Sequence, residues 1–375
     1  MTRRAEYKKK LKILDRFLDD HDLDGLILTR RGAFAWATAG GDNTVVSGSD
    51  VGLSSFVYDG KTAAVLTTNI EEARIADEEI ADLPGLAVAA LPWYFNDSVL
   101  DAFLASTGAK GRSGRARFAS DTNVPGSVPL PATFDRLTWS LLEPEAERYR
   151  ALGRDAARAI EAACLAVRPG MSEWRIAAEL DLQVRERGAY PIVNLVAVDD
   201  RIRRYRHPLP TKARFKRSAM LVLCAQRHGL VASCTRLVHV GKPGADLLRR
   251  HFAAVEVDVA LNDATRIDAV ADSIFARALA VYESLGFGDE WRLHHQGGAA
   301  GYAPRTWVAK PGCAETVLEN QAFAWNPSVT GTKSEDTILA TKDGPEFLTK
   351  PGRDWPCITI KRSGRSYRRP DILSI

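Results

Sequence analysis

The sequence predicts an α/β (α+β) protein of two domains, and three observations carry that reading. Short apolar runs alternate with amphipathic stretches across residues 1–135. Two helical patterns then follow from Glu143 onward, and the last third of the chain returns to strand-like runs. With 375 residues the chain can bury two cores. The expected boundaries are 1–135 for a small N-terminal α/β domain and 144–375 for the larger second domain.

The elements follow in order. MTRRAEYKKKLKILDRFLDD carries Leu11, Ile13, Leu14, Phe17 and Leu18 at helical spacing, so an amphipathic helix opens the chain. GLILT (25–29) is a short strand. VGLSSFVYDGKTAAVLTT reads as two strands joined by a turn at Asp59-Gly60, and NIEEARIADEEI as a helix. LAVAALPW (86–93) and a helix from Asp97 to about Ala105 come next. The stretch NVPGSVPLPATFD (123–135) interrupts the pattern and predicts the linker.

In the second domain, EPEAERYRALGRDAARAIEAACLAVRP places Tyr149, Leu152, Ala156, Ile160 and Ala163 on one helix face and stops at Pro169-Gly170. Ser172 is suited to cap a second helix, which Gly188 ends. PIVNLVAV is a strand. AMLVLCAQRHGLVASCTRLVHVG predicts two strands reversing around Arg227-His228-Gly229. Helices over about 244–256 and 265–285 precede a strand-rich remainder.

Composition is that of a globular chain: 45% hydrophobic, 26% charged, mean hydropathy −0.18. A net charge of +4, with no basic run interleaved with aromatics, gives no reason to expect a nucleic-acid partner. No apolar run approaches the roughly 20 residues of a membrane helix, and the basic first helix lacks a signal peptide's apolar core and cleavage site. Five scattered cysteines without a CxxC argue against a disulfide framework or zinc ribbon. A cytoplasmic protein acting on a small-molecule substrate is the expectation.

The segment with most chemistry is HHQGGAAGYAPRTW (294–307). If it is extended, His294, Gln296 and Gly298 share one face and His295 takes the other. Gly297, Gly298 and Gly301 then leave room for a substrate and for backbone N–H groups to approach it. Arg305 offers a planar fork suited to a carboxylate. A rescued metal site competes with this reading: Cys224 shares a strand face with Val222, and Cys224, His294 and Glu335 make a conceivable zinc set. Cys224 is also a conceivable nucleophile, although its apolar neighbours favour an inert thiol.

Five phrases, taken in order, carry a resemblance: TTNIEEARIADEEI (67–80), VRPGMSE (167–173), YRHPLP (205–210), CTRLVHVG (234–241) and SEDTILAT (334–341). Together they resemble the pita-bread family that includes creatinase, aminopeptidase P and prolidase, from about Leu11 to Thr341. The resemblance implies a pita-bread fold for the second domain, with the pocket inside it. Family metallopeptidases hold two divalent metals with two aspartates, one histidine and two glutamates. Those positions fall here on Val222, Ser233, Gly298, Asn326 and Glu335. One carboxylate cannot neutralise two hard dications, so no metal and no cofactor are expected.

What the resemblance then implies is a metal-independent, creatinase-like hydrolase cutting a C–N bond of a small polar, carboxylate-bearing molecule. His207 matches the family histidine that faces substrate and is the expected general acid/base. Glu335 and His294 complete the catalytic set. Asn326, Gln296, Arg305, Tyr302, Ser233 and His295 are expected to bind substrate. Relatives with this small domain pair so that a neighbour's N-terminal domain roofs the pocket; a homodimer is therefore expected, with Trp36, Arg30 and Arg31 as contributors. Creatinase has a second acid near the Ser233 position, and this chain does not. A lyase or isomerase, a non-catalytic ligand-binding relative, and a peptidase with an unusual single metal stay open as alternatives.

Overall fold

The computed structural model describes residues 1–94, 99–107 and 116–375. They form two compact units, Met1–Thr138 with Leu142–Glu145, and Trp139–Leu141 with Ala146–Ile375.

The first unit is a mixed sheet flanked by helices. Its strands are β1 (Gly25–Arg30), β2 (Val51–Tyr58), β3 (Ala63–Thr68), β4 (Leu86–Leu91), β5 (Phe118–Ser120) and β6 (Val128–Pro129), in the order β4-β3-β2-β1-β5-β6. The opening helix Arg3–Asp20 is capped by Thr2, whose hydroxyl accepts from the Ala5 N–H. Its buried face includes Tyr7, Leu14, Phe17 and Leu18, whereas Leu11 and Ile13 are not buried. Ile27, Val57, Leu66, Phe103 and Phe118 form the core. The helix expected from Asp97 begins at Val99 among the described residues; Asp97 itself lies outside them. The stretch read as a linker is instead part of this unit. β6 pairs in parallel with β5, and Phe134 is buried. Prolines are tolerated there because β6 is an edge strand.

The second unit holds two larger sheets and two two-stranded ones. The helix Glu143–Ala166, which belongs to this unit from Ala146 on, buries Tyr149, Leu152, Ala156, Ile160 and Ala163 as their spacing predicts. Ser172 caps the helix Glu173–Arg185 through the Arg175 N–H. β7 (Tyr190–Val198), β8 (Ser218–Arg227) and β9 (Leu230–His239) form one antiparallel set. The β8–β9 hairpin turns on His228 and Gly229, both at positive φ (52° and 76°), the geometry a two-residue turn requires.

The other larger sheet is built from β10 (Gly297–Ala300), β11 (Trp307–Val308), β12 (Ala322–Trp325), β15 (Asp336–Thr341) and β16 (Gly344–Phe347), in the order β11-β10-β12-β15-β16. Between β12 and β15 lies a small hairpin, β13 (Ser328–Val329) and β14 (Thr332–Lys333). This sheet packs Phe323, Trp325 and Ile338 against the helices Ala245–Ala264 and Ala271–Ser284, with Leu261 and Tyr282 in the same core. The two larger sheets meet where the Ser233 N–H donates to Thr337 Oγ1 (2.7 Å) and the Thr235 N–H to the Glu335 carbonyl (3.1 Å). That seam positions the polar site.

Candidate active site

Glu335 stands just before β15 and is 2% exposed. One carboxylate oxygen pairs with Arg305 Nη2 at 3.0 Å. The other pairs with Lys333 Nζ at 2.9 Å and accepts from Thr235 Oγ1 at 2.6 Å. Burial opposes ionisation of this group, but Lys333 and then Arg305 overcome it and hold its pKa at about 2. Lys333 was not among the expected site residues. It could have been found, because residues two apart on an extended segment share a face.

Beside this ionic cluster lie three imidazoles. His207 sits in the loop after the short helix Asp200–Arg204 and is exposed; His294 follows the 3₁₀ turn Glu290–Leu293 and is buried. Their Nε2 atoms are 3.1 Å apart. His295 stacks on His294 with ring centroids 4.4 Å apart and lies 5.8 Å from His207. All three are held below the ordinary histidine value. Burial is the largest cause for each, and Lys333 adds to it; His294 falls to about 2 and His295 to about 4. They are neutral bases at pH 7, with lone pairs available.

The other expected residues are placed as follows. Ser233 is fully buried; its hydroxyl donates to Cys224 Sγ (3.2 Å) and accepts from Arg305 Nη1 (3.5 Å). Asn326 is 3% exposed, directly after β12, with its Oδ1 lacking a hydrogen-bond partner. Arg305 Nε and His294 Nδ1 are likewise buried without one. Buried polar atoms are almost always satisfied, so the orphaned Arg305 Nε, beside Glu335, and His294 Nδ1, beside Lys333, point to water or a ligand. Tyr302 is buried in the turn that follows β10.

Several expectations are corrected. Gln296 does not face the site: it is fully buried, accepts from Tyr282 OH (2.7 Å) and donates to the His294 carbonyl. Strict alternation fails because the strand begins only at Gly297, so His294 and His295 stack side by side instead. Gly298 leaves no vacated space. A Cβ there would meet the Trp307 carbonyl oxygen at 2.2 Å, because β11 pairs directly over it. Trp36 is 2% exposed, packed edge-on against Phe134 within the first unit and capped by Lys10, whose ammonium lies 5.3 Å from its ring. It is a core residue. Cys224 is buried, and burial raises its thiol pKa, which removes it as a nucleophile. Among the described residues, the side chains with metal-binding geometry are His207, His294 and His295, not Cys224, His294 and Glu335.

The positions assigned to the family's two metals do not fit two divalent ions. Val222 is apolar, Ser233 is engaged with Cys224, a side chain cannot stand at Gly298 without displacing β11, and the Glu335 carboxylate is filled by two cationic side chains and a hydroxyl. The Lys333 ammonium and the Arg305 guanidinium both lie against that carboxylate.

Comparison with known proteins places this geometry. Residues 147–342, just over half of the chain, match the model of metallopeptidase family M24. The Xaa-Pro dipeptidase of Pyrococcus furiosus is 21% identical over 356 residues, covering 92% of this chain and 99% of that protein. The crystal structure of the prolidase from Pyrococcus horikoshii superposes with a TM-score of 0.75 at 20% identity, over 92% of this chain and 99% of that one. The N-terminal domain of the FACT complex subunit SPT16 from chickpea shares the fold at a TM-score of 0.69 and 10% identity, over 93% and 97%. The α/β architecture with a pita-bread second unit is therefore shown, and the chain belongs to metallopeptidase family M24.

Proposed function

We propose that this chain is a hydrolase that cleaves a C–N bond of a small, carboxylate-bearing substrate, of dipeptide size, without the family's two metals. The observation that carries the reading is the commitment of Glu335 to Lys333 and Arg305 beside a neutral His207–His294 pair. His207, the exposed imidazole, takes a proton from an attacking water; the oxygen bonds to the carbonyl carbon, and the same proton passes to the nitrogen as the C–N bond breaks. His294, at 3.1 Å, orients the His207 ring and fixes its tautomer. Arg305 gives Nη2 to Glu335 and Nη1 to the Pro304 carbonyl and Ser233, so its Nε is the donor left to meet the substrate carboxylate.

The substrate class differs from creatinase's. A guanidinium group needs a free carboxylate, and Glu335 has none to give. The Xaa-Pro dipeptides named for the relatives carry a terminal carboxylate next to the scissile C–N bond, and that chemistry suits a cationic pocket. The test is turnover of a panel of Xaa-Pro dipeptides and N-acyl amino acids after exhaustive chelation. Turnover should persist, and His207→Ala should lower it by about 10²–10⁴-fold. Turnover abolished by chelator and restored by manganese would overturn the reading.

A role without turnover of such substrates is favoured by one observation. The cavity beside His294, lined in part by Tyr205, Arg206, Met220 and Lys333, is only about 10 Å³, room for a single water. Neither calorimetric binding nor hydrolysis of any member of the panel would identify that case.

A further inference from the structure

We propose that His207, His294 and His295 form a site for one borderline transition-metal ion of the zinc type, separate from the family's metal positions and open on its solvent side. Each of the three offers a ring nitrogen, and these atoms lie within 4.8 Å of one another. Two Zn–N bonds of about 2.0–2.1 Å at a tetrahedral angle place their nitrogens about 3.3 Å apart. The His207–His294 pair, at 3.1 Å, already has that edge. Facing Nε2 atoms at this distance share one proton as an N–H···N hydrogen bond, which an ion bound to both nitrogens would replace. His295 must close by about an ångström and a half to complete the triangle. It gives up a weak contact in doing so, because its Nδ1 accepts from the Gly297 N–H at 3.3 Å.

The second observation is that the ring nitrogen pointing away from this edge, the buried Nδ1 of His294, has no partner on the protein, so that ring is held through Nε2 alone. A histidine packed only for structure would have both nitrogens satisfied. His207 is exposed, so the remaining coordination position faces water. Lys333 and Arg305, with Glu335 cancelling one of their two charges, leave a net positive surround. That weakens a dication and favours an anion, hydroxide or carboxylate, as its fourth ligand. None of the three histidines is a position where the family's metals are held, so the ion is new to this pocket rather than a remnant.

The ion displaces the proton shared by His207 and His294, and with it the hydrogen bond that orients His207 as a base. An occupied site is therefore an inhibited site, and this consequence alone rests on the acid–base reading of His207. The experiment is a Co²⁺ titration of the chelated full-length protein, read by visible absorption and reversed with Zn²⁺. One equivalent should give the intense bands of a four-coordinate ion, displaced by one equivalent of Zn²⁺. His207→Ala, on an exposed loop and checked for folding by circular dichroism, should weaken binding by more than the roughly 10–100-fold that loss of a supporting hydrogen bond costs. Glu335→Gln should leave the bands in place. Absence of a saturable band, or a band that survives His207→Ala and His294→Ala, overturns the site; so does a band abolished by Glu335→Gln, which would put the ion at the family position. If the site binds and Zn²⁺ leaves turnover unchanged, the acid–base role of His207 falls while the metal site stands.

Discussion

Glu335 and Asp336 are neighbours in sequence, both buried, both paired with cations, and yet they do different things. Asp336 turns toward the interior, where its oxygens meet Arg236 at 3.1 Å, Arg369 at 2.7 Å and Thr349 at 2.7 Å. Arg236 is further held by Glu161 and two backbone carbonyls, and Arg369 by Asp258. Apart from Arg369 Nη1, which lies with its guanidinium over the Phe347 ring, this network is satisfied. Glu335 faces the other way, toward Arg305, whose Nε lacks a partner, and Lys333, which shares a cavity with His294 and its unpartnered Nδ1. A closed network specifies architecture; one with open valences is built to meet something else.

That contrast can be broken experimentally, beginning with the largest effect. Asp336→Ala leaves Arg236 and Arg369 uncompensated in the interior and should lower stability by about 3–5 kcal/mol, read from urea denaturation. His207→Ala should do the reverse: turnover falls by about 10²–10⁴-fold while the urea-derived stability moves by less than about 0.5 kcal/mol, as for an exposed residue. A variant that unfolds the protein instead would show that His207 is structural.

Glu335→Gln should cost less than Asp336→Ala, about 1–3 kcal/mol, because the amide keeps an acceptor while the charge is lost. Its pH dependence has a defined sign. The Glu335 pKa is about 2 in the folded chain, against an ordinary glutamate value near 4.3. Its contribution is therefore complete above pH 4.3 or so and is lost as pH falls toward 2. The stability gap between wild type and Glu335→Gln should be flat from pH 5 to 8 and narrow below pH 4; a gap that widens on acidification would contradict the assignment. The smallest effect belongs to Cys224→Ala, which removes only a buried, weakly hydrogen-bonded thiol. It should cost under about 1.5 kcal/mol and leave turnover intact.

The sequence made much of this legible. The two-strand reversal at His228-Gly229, the capped helix at Ser172 and the face of the long helix all follow from local rules, and the structure places them as those rules require. His207, His294, Arg305 and Glu335 were identifiable because motif order carried them, and the fold brings them together. What local rules missed was decided by tertiary context. Gln296 was misread because alternation was extended backward past the true start of β10. Gly298 looked like open space, since nothing in the chain reveals that β11 closes over it. Lys333 was overlooked although its two-residue spacing from Glu335 contained the signal.

In the proposed reading, Lys333 and Arg305 stand in for the family's pair of metals around Glu335. Electron paramagnetic resonance of the chelated protein titrated with Mn²⁺ tests it most directly, because a hard ion seeks carboxylates and not imidazole clusters. No exchange-coupled manganese pair is expected at any stoichiometry. A coupled two-manganese signal that disappears in Glu335→Gln would contradict it.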